Sequence, residues 1–133
     1  MVKNPQQAYA NNSVNTASPG ELTLMLYNGC LKFIKQAEIA MEQKNVEQKN
    51  INIQKAQAIL RELSITLKTD QEIGKNMLAL YDFLISRLIE ANIQNNIEIL
   101  TEVSGFVAQF RDTWKEVIQT NRKLQQVGAG GRV

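Results

Sequence analysis

The sequence contains no histidine, and this absence excludes several classes of enzyme at once. Histidine is the commonest general acid or base and the commonest metal ligand. Without it the chain has no Glu-x-x-His di-metal bundle, no phosphotransfer histidine and no Ser–His or Cys–His pair. The glycine-rich stretch 128–131 does not join a strand to a helix, so it is not a phosphate-binding loop. We therefore predict a protein that is not an enzyme and uses no cofactor or metal.

Cysteine and long apolar runs are also scarce. The single cysteine, Cys30, excludes an internal disulfide and favours a reducing compartment, where we expect it to be a buried structural thiol. No run of about 18 apolar residues is present, which argues against a membrane-spanning helix. Residues 1–12 lack the apolar core of a secretory signal peptide. Together these absences predict a cytoplasmic protein with no membrane insertion.

An excess of charge of either sign is nearly absent as well, since 15 Lys and Arg against 13 Asp and Glu give a formal net charge of only +2. Proteins that bind nucleic acid usually carry a strongly basic stripe. Lys55, Arg61 and Lys68 fall on one flank of a predicted helix, but three cations make a poor nucleic-acid site. The composition, 44% hydrophobic and 21% charged, is typical of a soluble globular domain. We therefore expect a binding module rather than a nucleic-acid partner.

Proline occurs only at positions 5 and 19, so no strong helix breaker follows Pro19. Three segments have the pattern of a helix start, with a capping residue followed three positions later by Glu: Ser18–Glu21, Thr69–Glu72 and Asn95–Glu98. Apolar residues at helical spacing then predict helices from Ser18 to about Lys44, about 50–68, about 70–92 and 95 to about Leu124, with a polar break at 43–49. The short connections predict an all-α, antiparallel up-down four-helix bundle. We expect an N-terminal arm at 1–15, the bundle at 16–126 and a flexible tail at 127–133.

Each predicted helix has one apolar face for the core. The predicted core residues are, helix by helix, Leu22, Leu26, Gly29, Cys30, Phe33, Ala37, Ala40 and Met41; Ile53, Ala56, Ile59, Leu60, Leu63 and Leu67; Ile73, Met77, Leu80, Tyr81, Leu84, Leu88 and Ala91; and Ile99, Leu100, Val103, Phe106, Val107, Phe110, Trp114, Val117 and Ile118.

The first two helices have more apolar residues than one core face requires. Leu24 and Leu31 project almost opposite Leu26, and Tyr27 and Ile34 lie between the two faces. On the second helix a row with a spacing of seven lies roughly opposite Ala56 and Leu63: Ile51, Ala58 and Ile65. Contiguous apolar patches usually mark interaction sites. The alternatives are ordinary scattered exposure and a first helix covered by the N-terminal arm.

Several segments together resemble one family, the flagellar secretion chaperones called FliS. They are Thr16–Tyr27 with its Ser-Pro-Gly-Glu-Leu-x-x-Met-Leu-Tyr signature, an upstream tyrosine at Tyr9, Ile53–Leu63, Leu80–Phe83 and Phe110–Trp114. The resemblance covers nearly the whole chain in the same order. The signature in the first helix is specific, and the other segments support it.

The resemblance implies a cytoplasmic helical bundle that binds the C-terminal segment of flagellin, prevents premature polymerisation and delivers it to the flagellar type III export apparatus. It also implies that the region of Tyr9 covers a hydrophobic pocket until cargo displaces it, and it allows an export-gate protein, an anti-sigma factor or a second copy of the chain as further partners. Taken with the additional apolar rows, it yields these candidate cargo-binding residues: Tyr9, Leu24, Tyr27, Leu31, Ile51, Ile53, Lys55, Ala56, Ile59 and Leu63.

Two other classes of function are weighed against this one. An RNA-binding bundle would bind with a steep salt dependence and would need a basic stripe that the sequence lacks. A structural homo-oligomer would use the additional apolar rows for self-association, and light scattering over a concentration series would detect it.

Overall fold

Four helices make up the computed structural model, which describes residues 18–67 and 70–130. They are α1 (Pro19–Glu42), α2 (Val46–Ile65), α3 (Glu72–Gln94) and α4 (Ile97–Gly130). No strand occurs within these ranges, which confirms the predicted all-α class. The predicted arm at residues 1–15, including Tyr9, lies outside the described residues.

The helices form a closed ring in which α1 packs against α2 and α4, and α3 packs against the same two helices. Lys49, near the start of α2, donates a hydrogen bond to the carbonyl of Asn92, near the end of α3. Trp114, midway along α4, donates to the carbonyl of Gly20 at the start of α1. Sequential neighbours therefore run antiparallel, as short connections predict for an up-down bundle.

Side-chain caps begin three of the four helices, and only the start of α1 lies where it was predicted. The Ser18 hydroxyl accepts from the Glu21 amide at 3.2 Å, which confirms the first predicted cap. Helix α2 begins at Val46 instead of about residue 50, because the Asn45 side chain accepts from the Gln48 amide at 3.1 Å. The predicted break at 43–49 was therefore too long, and the Asn45-x-x-Gln48 pattern already carried the signal.

The two other predicted starts are displaced by one or two positions. Asn96, and not Asn95, caps α4, since its side-chain oxygen accepts from the Ile99 amide at 3.3 Å. Helix α3 begins at Glu72 instead of about residue 70, and its N-cap Gln71 makes no side-chain capping bond. Thr69, the predicted cap of α3, lies outside the described residues.

Helices α1 and α3 both end in a left-handed residue at the same end of the bundle. Lys44 has φ of 58° and Asn95 has φ of 53°. In each case the next amide reaches back to a carbonyl of the last turn, Asn45 to Ala40 at 2.8 Å and Asn96 to Ala91 at 3.1 Å. These are the hydrogen bonds of a Schellman motif, which explains why the chain turns sharply after each helix.

Helix α4 continues past its predicted end at Leu124 to Gly130. Its glycines lower helix propensity by about 1 kcal/mol each, but extending an existing helix needs no new nucleus. The boundary of this helix was therefore predicted too early. The division into arm, bundle and flexible tail stays a prediction.

The buried core draws on all four helices and is almost entirely apolar. Its members are Tyr27, Cys30, Ile34, Ala37, Ile53, Ala56, Leu60, Leu63, Tyr81, Leu84, Leu88, Ala91, Ile99, Leu100, Val103 and Val107. The buried arc of α1 is rotated from the predicted one, since Tyr27 and Ile34 are buried while Leu26 and Phe33 are only partly so. The reason is that α1 packs between two neighbours, which centres its buried arc between α2 and α4.

Three residues predicted for the core face solvent instead. Ile73 is 70% exposed, Leu80 is 37% exposed and Val117 is 39% exposed. All three lie at the margin of the buried side of their helix. That buried side is narrower than the apolar pattern suggests, because each helix of the ring packs against two neighbours and has one open side. Across the described residues, no helix has the combination of length and apolarity needed to cross a bilayer.

Candidate functional site

Leu24 and Leu31 lie on the side of α1 that faces α4, which we call the α4 flank. They share this side with Gly20 and Glu38 at helical spacings of four and seven residues. Both outer members of that row lie against α4: the Gly20 carbonyl accepts from Trp114 Nε1 at 2.8 Å, and Glu38 lies beside Thr101. Leu24 and Leu31 are half-buried, so each keeps apolar surface outside the core.

The opposite side of α1 forms a second apolar surface with α2, which we call the α2 flank. A Cβ atom added at Gly29 would lie 3.3 Å from Ile59 Cδ1, so the missing side chain leaves room for Ile59. The Lys55 ammonium lies 5.3 Å from the centre of the Phe33 ring, within cation–π range. Phe33 and Ile59 are half-buried and Lys55 is exposed, so this flank presents apolar surface with a cation at its edge.

The additional apolar row predicted on the second helix, which we call the outer row of α2, points away from the core. Ile51 is half-buried, Ala58 is exposed and Ile65 is 77% exposed. Lys55 lies within one helical turn of Ile51 and Ala58, so the outer row borders the α2 flank. The bundle thus places the predicted residues around α1 and α2 as separate surfaces and does not gather them into one patch.

Four predicted residues lie inside the core: Tyr27, Ile53, Ala56 and Leu63 are at most 4% exposed. The Tyr27 and Tyr81 hydroxyls are 2.6 Å apart across the bundle, and both rings contact Phe110. These side chains hold α1 and α2 in place beneath the two flanks. Their role as direct cargo contacts stays a prediction, as does that of Tyr9, which lies outside the described residues.

Three titratable groups lie in the apolar core, and burial raises the pKa of each of them. Burial raises the pKa of Tyr27, against a smaller lowering by the hydrogen bond from Tyr81, and it raises the pKa of Tyr81 further. Burial also raises the pKa of the Cys30 thiol to about 12, and its sulfur lies 3.8 Å from the carbonyl of Ala56. A neutral thiol is a poor nucleophile, so Cys30 is a structural residue as predicted.

Metal chemistry finds no support in the part of the chain that is described, where no group of three or more His, Cys, Asp or Glu side chains could hold a metal ion. The flanks and the outer row offer apolar surfaces for binding.

A further apolar surface, between α3 and α4, was missed at the sequence level. Phe83 is 45% exposed and packs edge-to-face on Phe106 at 6.3 Å, beside the exposed Leu80. Arg87 borders this surface and bridges Glu90 on its own helix and Glu102 on α4 at 2.6 and 2.7 Å. The sequence signal for this surface was the seven-residue spacing of Ile73 and Leu80 on one side of α3, but both residues were assigned to the core.

Comparisons with known proteins agree across sequence and structure. The model of a family described as "Flagellar protein FliS" matches residues 2–121. The flagellar secretion chaperone FliS of Bacillus subtilis strain 168 is 53% identical over 130 residues, which span 98% of this chain and 97% of that protein. The FliS of Escherichia coli K12 is 29% identical over 126 residues, which span 90% of this chain and 93% of that protein.

The fold has a counterpart among solved structures. A crystal structure of a bacterial flagellar chaperone superposes with a TM-score of 0.72 at 15% identity, covering 86% of this chain and 98% of that one. At this identity the likeness concerns the fold alone, and it agrees with the four-helix arrangement described above.

Proposed function

Because the chain belongs to the FliS family of flagellar secretion chaperones, we propose that its cargo is the C-terminal segment of flagellin. In this proposal the protein works in the cytosol, binds that segment before filament assembly, prevents its premature polymerisation and delivers it to the flagellar type III secretion apparatus. An export-gate protein and an anti-sigma factor are further proposed partners.

The observation that carries the proposal is the pair of half-covered apolar flanks on either side of α1. Leu24 and Leu31 on one side, and Phe33 and Ile59 on the other, keep apolar surface outside a core that is already complete. Removing such surface from water contributes about 25 cal/mol per Å² to the transfer free energy, and the costs of association and ordering offset part of it. A cargo segment that crosses α1, or that runs along both flanks, would cover more apolar surface than a single cargo helix on one side of α1.

The proposed mechanism depends on a rigid chaperone and a flexible cargo. The core beneath the flanks is buried by this chain alone and includes the Tyr27–Tyr81 hydrogen bond, so in this proposal the bundle is formed before cargo binds. A cargo segment that is disordered before assembly has to order on binding, and this ordering offsets part of the contact free energy. The complex can then be specific for its cargo and still release it at the export apparatus.

Calorimetry of the full chain with a peptide of the flagellin C-terminal segment tests the proposal. We expect heat of binding with one-to-one stoichiometry, and Leu31→Asp on the α4 flank should weaken affinity by about tenfold or more. Ile93→Asp is the matched control, since Ile93 is 77% exposed on α3. Absence of heat with two folded, competent partners would overturn the proposal.

A second variant separates loss of binding from loss of folding. Lys55 is exposed, so Lys55→Glu leaves the core intact while reversing the charge at the edge of the α2 flank. We expect an unchanged helical circular dichroism signal and a weaker complex. Unchanged affinity would show that cargo does not approach the α2 flank.

The proposed role of the N-terminal arm is tested by deletion of residues 1–15. The bundle should keep its helical signal, whereas cargo affinity or self-association, followed by light scattering, should change. Loss of the helical signal would show that the arm belongs to the core, and unchanged binding and association would exclude the role as a cover.

A further inference from the structure

A cavity of about 240 Å³ opens at the end of the bundle where α1 meets α2 and α3 meets α4, remote from Leu24 on the α4 flank. We call it the end cavity. Its apolar walls include Met41, Val46 and Ile97, and its polar lining includes Lys44, Lys49 and Asn95. Lys44 and Asn95 are the two left-handed residues that end α1 and α3, so the chain turns themselves shape the opening.

Lys49 is buried in the end cavity although its side chain is charged, with only 6% of the residue exposed. Its ammonium donates to the carbonyl of Asn92 at 3.0 Å and to Asn95 Oδ1. An ammonium has three hydrogens, and the third has no acceptor among the described residues. Lys49 therefore holds the start of α2 to the end of α3 and still has one donor available to the cavity.

The charge of Lys49 is not balanced by a carboxylate. No Asp or Glu of the described residues forms an ion pair with it, and the lining of the end cavity contains two lysines and no acid. The end of α3 offers the ammonium roughly half of a negative charge through the helix dipole. A buried charge without a full counter-charge is costly, so an external anion would be stabilised here.

We propose that the end cavity binds a carboxylate carried on a short aliphatic stem, the chemistry of a glutamate side chain. The carboxylate would accept the free hydrogen of the Lys49 ammonium, with Lys44 at the rim as a second cation. Met41, Val46 and Ile97 would contact the methylene groups of the stem. The site is distinct from the two flanks of α1, and the proposal does not depend on flagellin being the cargo.

Amide NMR of the nitrogen-labelled full chain tests the proposal, with N-acetyl-glutamate N-methylamide as the probe at constant ionic strength. We expect saturable shifts centred on Lys44, Asn45 and Asn95, and binding about tenfold or more weaker for the glutamine analogue, which lacks the charge. Acetate as a second probe distinguishes the source of the carboxylate. Acetate that binds as well as the glutamate probe would support a free small carboxylate as ligand, and stronger binding of the glutamate probe would support a polypeptide side chain.

Two variants and a control make the test specific. Lys49→Met should abolish the shifts, and Lys44→Gly should weaken them several-fold while leaving the fold at least as stable, since glycine favours the left-handed conformation. Lys32→Met, on the exposed surface of α1, should leave the shifts unchanged. Equal binding of the glutamate and glutamine probes to the wild type, or shifts unaffected by Lys44→Gly, would overturn the proposal whether or not Lys49→Met folds.

Discussion

The inner and outer faces of α2 are both apolar, yet they differ in what covers them. Ile53, Ala56 and Leu63 are 0–1% exposed inside the ring. On the outer row, Ala58 is exposed and Ile65 is 77% exposed. The inner face is covered by α1 and α3, whereas the outer row faces the open side of the helix. The difference shows that an apolar pattern identifies surface that burial would stabilise. The neighbouring helices decide whether that surface is buried within the chain or is left for a partner.

The largest effect is expected from introducing the same charge on each face. Ala56→Glu puts a carboxylate into the core with no cation beside it, and we expect the free energy of unfolding to fall by about 3 kcal/mol or more. Ala58→Glu should change it by less than about 0.5 kcal/mol, because the side chain stays in water. Urea unfolding followed by circular dichroism measures both, and equal losses would contradict the distinction between the faces.

A smaller effect is expected from the hydrogen bond within the core. Tyr27→Phe leaves the buried Tyr81 hydroxyl without its partner, which should cost about 1–3 kcal/mol of the free energy of unfolding. The double variant Tyr27→Phe/Tyr81→Phe removes both polar groups and should cost less than the sum of the single changes. Strict additivity, measured by urea unfolding of all four proteins, would show that the two hydroxyls do not interact.

Gly105 on α4 and Gly29 on the α2 flank of α1 should respond differently when each is replaced by alanine. No atom lies within 4 Å of a Cβ atom placed at Gly105, so Gly105→Ala should raise the free energy of unfolding by about 1 kcal/mol. At Gly29 the added carbon would lie 3.3 Å from Ile59 Cδ1, so repacking on the α2 flank should offset most of the same gain. Thermal unfolding would reveal the difference, and an equal gain at both positions would show that Ile59 moves freely.

The smallest effect concerns the surface contact between Lys55 and Phe33. A cation–π contact at an exposed site contributes about 0.5–1 kcal/mol. A double-mutant cycle of Lys55→Met with Phe33→Leu, read out by urea unfolding, should give a coupling free energy of about 0.5 kcal/mol. A coupling free energy indistinguishable from zero would show that Lys55 makes no stabilising contact with Phe33 and that its ammonium is available to a partner.

Local chemistry explains how much of the fold could be predicted. Ser18 caps α1 through a hydrogen bond three residues along the chain, which is a pattern readable without any tertiary contact. The start of α2 was equally readable in Asn45-x-x-Gln48 and was placed too late because polar residues there suggested a break. The error at the start of α2 thus came from weighing composition over capping, whereas the starts of α3 and α4 were displaced although both had been predicted from capping patterns.

The candidate site was less predictable than the fold. Spacing placed Leu24 and Leu31 away from Leu26, and both lie on the α4 flank of α1 as partly covered side chains. Spacing could not tell that Tyr27 would be buried or that Leu80 would be exposed, because both lie at the edge of an apolar arc. The burial of Lys49 and its contact with the end of α3 had no signal in the sequence pattern at all.

The sequence by itself determined that the chain is helical, that α1 begins after a Ser18 cap, that catalysis by histidine is excluded and to which family the chain is related. These properties depend on residue type and on contacts within a few positions. Only the tertiary structure decided which side of each helix is buried, which predicted residues are core and which are surface, and that a lysine lies buried in the end cavity. The physical reason is that periodicity shows which side chains are apolar, whereas the centre and the width of the buried arc are set by the two helices that pack against each helix.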